Sequence, residues 1–171
     1  MRLPPPASEI TSILDDLRRV VRVLRESSRS SERQFGVTGA QLFALKALAK
    51  DPALSLNELA ARTRTHQSSV SVVVKRLVRA RLVSRVTSPH DGRRVELAVT
   101  AKGRALLAKA PLAAQERLIE GIEQLSRVDR RVLARSLHRL VDAMQLGDEP
   151  PSMFFEIETP ARPQPTRARR G

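Results

Sequence analysis

Apolar residues recur at spacings of three and four along most of this chain, the pattern of helices with one buried face. The clearest stripe lies in residues 65–78 and comprises Val70, Val73, Val74, Leu77 and Val78. A shorter helix is predicted to begin after Ser55, because Glu58 three residues later completes a capping box. These two helices and their short connection predict a helix-turn-helix, in which 65–78 is the recognition helix.

Two strands are predicted after the recognition helix. Residues 82–87 can form the first, and residues 95–99 alternate apolar and polar side chains as a half-buried strand does. Between them, Pro89 and the Asp91-Gly92 pair predict a turn. A basic hairpin after a helix-turn-helix is a wing, so residues 38–100 predict a winged helix-turn-helix. The fold class is therefore mainly α with a small β-hairpin wing.

Long apolar seams flank this lobe on both sides. Residues 8–33 carry one at nearly heptad spacing, formed by Ile10, Ile13, Leu14, Leu17, Val20, Val21 and Leu24. Residues 101–146 carry another, in a helix expected to bend at Pro111 and a last helix expected to end at Gly147. The first seam predicts either an intramolecular core or burial against a second protomer, and its regularity at a chain end favours the second. We therefore expect a helical dimerisation region beside the winged lobe.

The two ends of the chain have a different composition. Residues 1–7 hold three consecutive prolines and predict an extended leader, whereas residues 147–171 are rich in Pro and Arg and predict a disordered tail. A short apolar patch interrupts this tail, formed by Met153, Phe154, Phe155 and Ile157. It is either an accidental patch or a segment that docks on the helical body, and the sequence leaves both open.

Charge indicates the kind of partner. The chain has a formal net charge of +13, and residues 62–94 hold nine Lys or Arg against one acid, Asp91. Cations on a helix-turn-helix favour a nucleic acid, because neutralised phosphates release counterions. Only 2% of the residues are aromatic, which disfavours single-stranded binding by base stacking. The sequence therefore predicts double-stranded DNA as the partner.

Other functions are excluded or disfavoured by composition. The chain has no cysteine, so disulfides and thiolate metal sites are excluded, and no cofactor is predicted. Its histidines, His66, His90 and His138, lie in separate predicted elements, which disfavours a metal site or a catalytic triad. No apolar run reaches membrane-spanning length, and no signal peptide precedes the first helix. We therefore expect a cytoplasmic protein that is not an enzyme and has no membrane contact.

Candidate DNA contacts follow from position and chemistry. The early turns of a recognition helix enter the major groove, where hydroxyl and amide groups reach base edges or phosphates with about equal ease. Long cations are expected to contact phosphates. The resulting candidates on the recognition helix are Gln67, Ser68, Ser69, Ser71, Lys75 and Arg76, and Arg85 joins them on the wing.

Three strings make residues 8–146 resemble the MarR family of bacterial winged-helix regulators. They are Val37-Thr38-Gly39-Ala40-Gln41, the run ending Arg81-Leu82-Val83-Ser84-Arg85, and Asp91-Gly92-Arg93-Arg94 followed by 95–103. The resemblance implies a homodimer whose two lobes bind a pseudo-palindromic operator. It also implies repression relieved by a small, often phenolic or aromatic ligand bound between lobe and dimerisation helices, although the effector residues are unknown.

The resemblance also assigns the wing tip. Arg93 matches the arginine that the family places in the minor groove, Asp91 matches the carboxylate that steers it, and Arg94 lies beside them. Two positions depart from the family pattern. Arg81 stands where Gly is usual, so we expect a left-handed conformation there. Val72 stands where a polar or basic residue is common, so no base preference can be transferred.

Together these features predict a sequence-specific, double-stranded DNA-binding transcriptional regulator, a repressor released by a small molecule. The alternative is an architectural, nucleoid-type DNA-binding protein that responds to no effector. The two differ in specificity, because an architectural protein binds unrelated duplexes almost equally well.

Substitution Arg93→Ala is expected to weaken operator binding by about 1–3 kcal/mol while leaving fold and dimer intact, because one groove contact is lost. Titration of parent and variant against the same duplex measures the difference. Equal affinities would contradict the assignment of the wing arginine.

Overall fold

A computed structural model describes residues 7–51, 54–88, 95–147 and 151–156. Within these ranges the helices and strands, in chain order, are α1 Ala7–Phe35, α2 Gly39–Lys50, α3 Leu56–Thr63, α4 Gln67–Arg79, β1 Val83–Thr87, β2 Val95–Val99, α5 Ala101–Leu107, α6 Ala114–Gln124 and α7 Arg127–Ala143. The predicted class, mainly α with a small hairpin, is confirmed.

Helix α2 is the centre of the lobe. Its N-terminus is fixed by a capping box, in which the Gln41 backbone N–H donates to Thr38 Oγ1 at 3.2 Å and the Thr38 N–H donates to Gln41 Oε1 at 3.3 Å. Eight of its residues are buried, and it contacts α1, α3, α4, α5, α6 and β2. Helix α2 is therefore the element around which the others pack.

The predicted helix-turn-helix is present. Ser55 and Glu58 form the expected capping box at the start of α3, and α4 follows after a short turn. The predicted stripe of α4 packs into the core, where Val70, Val73, Val74 and Leu77 are each 0% exposed. Burying four such side chains stabilises the lobe by several kcal/mol, at about 1.5–3 kcal/mol each.

The wing is the predicted antiparallel hairpin, with Val83 opposite Val99 and Thr87 opposite Val95. Its second strand has the predicted bounds, and its first begins one residue later than predicted. A third segment extends the pairing, because the Leu97 N–H donates to the Leu54 carbonyl at 2.9 Å. This isolated bridge was not predicted, since a single paired residue has no periodicity to detect.

Helix α5 closes the lobe against the base of the wing. Thr100 caps it by accepting a hydrogen bond from the Gly103 N–H. A Cβ atom at Gly103 would lie 2.4 Å from the Leu82 carbonyl oxygen and 2.8 Å from Val99 Cγ1. Only glycine permits this approach of helix to strand.

The expected bend at Pro111 is wrong, because the helix breaks. α5 ends at Leu107 and α6 begins at Ala114. Proline lacks the amide for helical bonding and its ring clashes with the preceding turn. A new helix starts instead, where Glu116 Oε2 accepts a hydrogen bond from the Ala113 N–H at 3.1 Å.

Most of the seam of α1 and the whole seam of α7 remain uncovered by the described residues. α7 has no buried residue, and its seam residues Val128 and Met144 are 69% and 58% exposed. The seam of α1 is likewise exposed from Ile10 to Val21, and only Leu24 is buried. For the seam of α1, the alternative of an intramolecular core is therefore wrong from Ile10 to Val21. The helix bounds also differ, since α1 runs to Phe35 rather than Arg33 and α7 ends at Ala143 rather than Gly147.

The apolar patch of the C-terminal tail lies against the lobe. Met153 is 2% exposed and belongs to the same apolar core as α2 and α4. Residues 151–156 thus adopt the docking alternative, whereas Ile157 lies outside the described residues. We call residues 151–156 the anchor segment.

Substitution Gly103→Ala is expected to destabilise the fold by about 1–3 kcal/mol, because its methyl group would meet the Leu82 backbone. The matched control is Gly121→Ala in α6, where the added Cβ meets nothing within 4 Å. There we expect a gain of up to about 1 kcal/mol from higher helix propensity. Chemical denaturation of both variants measures the difference, and similar effects at the two sites would contradict the close approach.

Candidate DNA-binding surface

The turn between α3 and α4 sets the direction of the recognition helix. Arg64 ends α3 in a left-handed conformation, with φ 53°, and its N–H donates back to the α3 carbonyls of Ala60 and Ala61. Thr63 reinforces the end of the helix by donating its hydroxyl to the Leu59 carbonyl at 2.8 Å. His66 then starts α4 without a side-chain cap, so its side chain does not occupy the first-turn amides.

Helix α4 has one face in the core and the other in solvent. The solvent face comprises the exposed residues Gln67, Ser68, Val72, Lys75 and Arg79, together with half-buried Ser71. Four of the six predicted contacts on this helix, Gln67, Ser68, Ser71 and Lys75, thus share one accessible side. Arg79 was not among the predicted contacts, although its i, i+4 spacing from Lys75 placed it on the same side.

The remaining two predicted contacts lie on the flank of α4. Ser69 is 8% exposed and donates its hydroxyl to the Pro151 carbonyl at 2.8 Å. Arg76 Nη1 lies 2.7 Å from Glu156 Oε1, and its side chain is partly buried. Both side chains therefore contact the anchor segment.

The wing contributes one predicted residue to the described surface. Arg85 is exposed on β1, opposite Leu97 of β2. The other predicted wing residues, Asp91, Arg93 and Arg94, lie outside the described residues. Arg81, between α4 and the wing, has the expected left-handed backbone, with φ 60°.

Ion pairs neutralise the cations that face the helical body. Arg62 lies 3.4 Å from Asp51, and Arg64 pairs with Glu123 of α6. The other exposed cations between residues 62 and 88 are Lys75, Arg79, Arg81 and Arg85. Among the described residues, no carboxylate forms an ion pair with any of these four. The surface of α4 and β1 is therefore strongly positive.

Comparison with known proteins identifies the fold. Residues 35–94 match the model of the MarR family. Over 139 residues the chain is 34% identical to an HTH-type transcriptional regulator of Mycobacterium bovis, a match that covers 81% of this chain and 95% of the relative. The chain belongs to the MarR family. It is thus a member of a family of transcriptional regulators.

Other matches agree with this assignment. An HTH-type transcriptional repressor of Mycobacterium tuberculosis is 29% identical over 124 residues, which cover 72% of this chain and 89% of the relative. The crystal structure of Bordetella bronchiseptica BpsR, solved in a study of how 6-hydroxynicotinic acid regulates its DNA binding, superposes with a TM-score of 0.53. It is 23% identical and covers 83% of this chain and 97% of its own, so the likeness shows the fold alone.

A cavity of about 230 Å³ separates the MarR-type lobe from α6. It lies between α2, α3 and α6, and the side chains of Phe43 and Ile119 contribute its apolar wall. Its charged lining comprises Lys50, Arg62, Arg64, Glu116, Glu120 and Glu123. The cavity is bounded by both the winged lobe and a flanking helix.

Glu116 is held in this wall by two lysines. Its Oε1 accepts from Lys50 Nζ at 3.0 Å, and its Oε2 lies 3.3 Å from Lys46 Nζ. Burial acts to raise the pKa of Glu116, but the hydrogen bonds from Lys50 and the Ala113 N–H, together with both positive charges, outweigh it. The pKa of Glu116 is therefore lowered, and the carboxylate is stabilised in its charged form.

Glu156 of the anchor segment is in the opposite situation. Thr38 donates its hydroxyl to Glu156 Oε2 at 3.1 Å, beside the Arg76 ion pair. Burial nevertheless dominates and raises the pKa of Glu156, because Arg76, Thr38 and Gln41 only partly offset it and Glu32 adds a like charge. The charged form of this carboxyl thus costs free energy in the docked state.

Two features are absent from the part of the chain that the structure describes. In these parts of the chain, no three or more His, Asp or Glu residues are grouped so that they could hold a metal ion. No helix there combines the length and the hydropathy that crossing a membrane requires.

The two glutamates predict opposite pH effects. Glu156→Gln should stabilise the protein at neutral pH, because it removes the cost of a buried charge, and the gain should vanish as pH falls into the ordinary glutamate range. Glu116→Gln should destabilise it at neutral pH, and that loss should vanish as pH falls through the lowered pKa. Denaturant midpoints across pH measure both, and effects of the same sign would contradict the assigned causes.

Proposed function

We propose that this chain is a homodimeric repressor that binds a pseudo-palindromic site on double-stranded DNA and is released by a small-molecule ligand. The observation that carries the proposal is the exposed face of α4. It presents amide and hydroxyl groups next to cations that no described carboxylate neutralises.

The chemistry of this face suits a duplex. Gln67, Ser68 and Ser71 lie on the first turns of α4, where a recognition helix reaches base edges. Lys75 and Arg79 lie further along the same side, where a helix crossing the groove meets the phosphate backbone. Arg85 extends the positive surface onto the wing. Polar groups for specificity and cations for affinity are thus combined on one side of the lobe.

The exposed seams of α1 and α7 support a dimer. Leucine and valine side chains along both helices remain in water in the single chain, and so large an apolar surface indicates a protein interface. A second copy with the same seams would cover them by symmetric packing. Two lobes held by one dimer would then bind two half-sites of opposite orientation.

The cavity between α2, α3 and α6 supports control by a ligand. Arg64 of the helix-turn-helix and Glu123 of α6 form an ion pair and both line the cavity, so a molecule bound there would contact both side chains. In BpsR, 6-hydroxynicotinic acid regulates DNA binding, which shows that this fold can transmit such a signal. A ligand that binds one orientation of the lobe more tightly than another favours that orientation. It can change the DNA affinity by at most the difference between its binding free energies for the two orientations.

Catalysis forms no part of the proposal. His66 precedes α4 and His138 lies in α7, and among the described residues neither belongs to a group of three or more His, Asp or Glu side chains placed to hold a metal ion.

Competition binding separates the repressor from an architectural protein. A labelled duplex from the region upstream of the protein's own gene is bound, then challenged with unlabelled own sequence or with a scrambled duplex at equal salt. A repressor should prefer its own sequence by about 10³-fold or more. A ratio near one would favour the architectural alternative.

Lys75→Ala should weaken binding to both duplexes and reduce the slope of log affinity against log salt by about one, since one phosphate contact is lost. The matched control is Lys109→Ala, an exposed lysine after α5 and outside both α4 and the wing. The control should bind as the parent does. A salt slope unchanged by Lys75→Ala, or changed equally by both substitutions, would refute the assigned surface.

A further inference from the structure

The anchor segment lies along one flank of the recognition helix α4. Its Pro151 carbonyl accepts a hydrogen bond from the Ser69 hydroxyl at 2.8 Å, and Glu156 Oε1 lies 2.7 Å from Arg76 Nη1. Ser69 and Arg76 are separated by almost two helical turns, so they lie on the same side of α4 and about 10 Å apart along its axis. The anchor segment therefore covers this flank over about two turns of the helix.

The covered flank borders the exposed face of α4. Arg76 follows Val72 by four positions, so the two side chains point only about 40° apart around the helix axis. Val72 is exposed, whereas Arg76 is partly buried and Ser69 is buried. Of the contacts to DNA that the sequence predicts on α4, the two that are not on its exposed face are thus the two that the anchor segment contacts.

A bound duplex would compete with the anchor segment for space. The major groove of B-DNA is about 12 Å wide, and a helix with its side chains is about 10–12 Å across. A recognition helix therefore fills the groove, and a second stretch of backbone alongside it would meet the phosphates of the groove wall. Charge acts in the same direction, because docking holds the Glu156 carboxylate beside a surface that would face a polyanion.

Docking of the anchor segment depends on few groups. Met153 is 2% exposed and packs in the core of the lobe, but neighbouring Phe154 is 49% exposed. At the far end burial opposes docking, since it raises the pKa of Glu156 and the charge of Arg76 offsets this only in part. The segment thus combines one deeply buried apolar side chain with one carboxylate whose charged form is unfavourable there. Such a balance suits a contact that is released and re-formed.

We propose that the docked anchor segment is an autoinhibitory contact, which lines the flank of α4 and must leave it before α4 enters the major groove. This inference rests on the proposed DNA-binding function and adds a control carried by the chain itself. The observed DNA affinity is then the intrinsic affinity multiplied by the fraction of molecules in which the segment is released. By reciprocity, DNA should disfavour docking by the same factor by which docking weakens DNA binding.

Met153→Ser should release the segment, because this substitution removes its deeply buried apolar contact. Fluorescence polarisation at fixed salt measures binding to the duplex from upstream of the protein's own gene and to the scrambled duplex. Both affinities should rise by about threefold to tenfold, which corresponds to a released fraction of about 10–30% in the parent.

The matched control is Phe154→Ser, which removes an exposed apolar side chain from the same segment and should bind as the parent does. Circular dichroism melting establishes that each variant is folded. Affinity equal to or weaker than that of the parent in folded Met153→Ser would overturn the proposal.

Glu156→Gln tests the same contact in the opposite direction. Glutamine can accept the hydrogen bond from Thr38 without a buried charge, so the segment should dock more tightly and DNA affinity should fall by about threefold. The substitution also raises the net charge by one, which in the absence of docking would strengthen DNA binding. Affinity equal to or above that of the parent would therefore contradict the inference, and this measurement does not depend on the folding of Met153→Ser.

A fluorophore in the anchor segment reports its release directly. The chain has no Trp or Tyr, so Phe155→Trp supplies a single one. Phe155 is half-buried, with its ring centre 6.0 Å from the guanidinium of Arg25 in α1. Adding the duplex should shift the tryptophan emission to longer wavelength over the concentration range in which polarisation detects binding.

The same measurement separates this inference from the proposed function. Emission that is unchanged when the duplex is bound would overturn the autoinhibitory contact and leave the proposed function intact. A parent protein that binds neither duplex would overturn both.

Discussion

The packing of α4 against α2 is the constraint on which the rest of this structure depends. Val70, Val73, Val74 and Leu77 are completely buried on one side of a helix only thirteen residues long. Because a helix repeats every 3.6 residues, this burial forces the residues between them to the opposite side. The same stripe that stabilises the lobe therefore presents Ser68, Lys75 and Arg79 to solvent. The 3.6-residue repeat of α4 thus accounts both for the burial that stabilises the lobe and for the set of side chains that α4 exposes.

Electrostatic pairing refines that surface. Cations that point toward the helical body have carboxylate partners, in Asp51 for Arg62, Glu123 for Arg64 and Glu156 for Arg76. Cations on the solvent side of α4 and β1 have none among the described residues. The pairs of Arg62 and Arg64 are exposed, and exposed ion pairs commonly contribute under about 1 kcal/mol to stability, whereas the carboxyl of the Arg76 pair is buried. Their effect here is to confine the unneutralised charge to one side of the lobe.

Polar contacts connect the lobe to the flanking helices at several points. Ser28 of α1 accepts from the Gly39 N–H at 3.0 Å, and Glu116 of α6 pairs with Lys46 and Lys50 of α2. The anchor segment adds a contact from α4 to α1 through Phe155 and Arg25. Any change in the orientation of the lobe relative to α1 and α6 must alter these contacts, so they couple the position of the lobe to both helices.

The sequence by itself determined the local elements, because helix periodicity, capping boxes and turn residues act over a few positions. The capping boxes at Thr38 and Ser55 and strand β2 follow from such short-range signals, as do the candidate contacts on the solvent side of α4, whereas the left-handed Arg81 was expected from the family resemblance. Tertiary structure alone decided which residues meet across long separations. It placed Ser69 and Arg76 against the anchor segment, paired Leu54 with Leu97, and made Pro111 break a helix whose apolar stripe continued in phase. Periodicity describes one element at a time, whereas burial of Met153 and Glu156 depends on surfaces contributed by α1, α2 and α4 together.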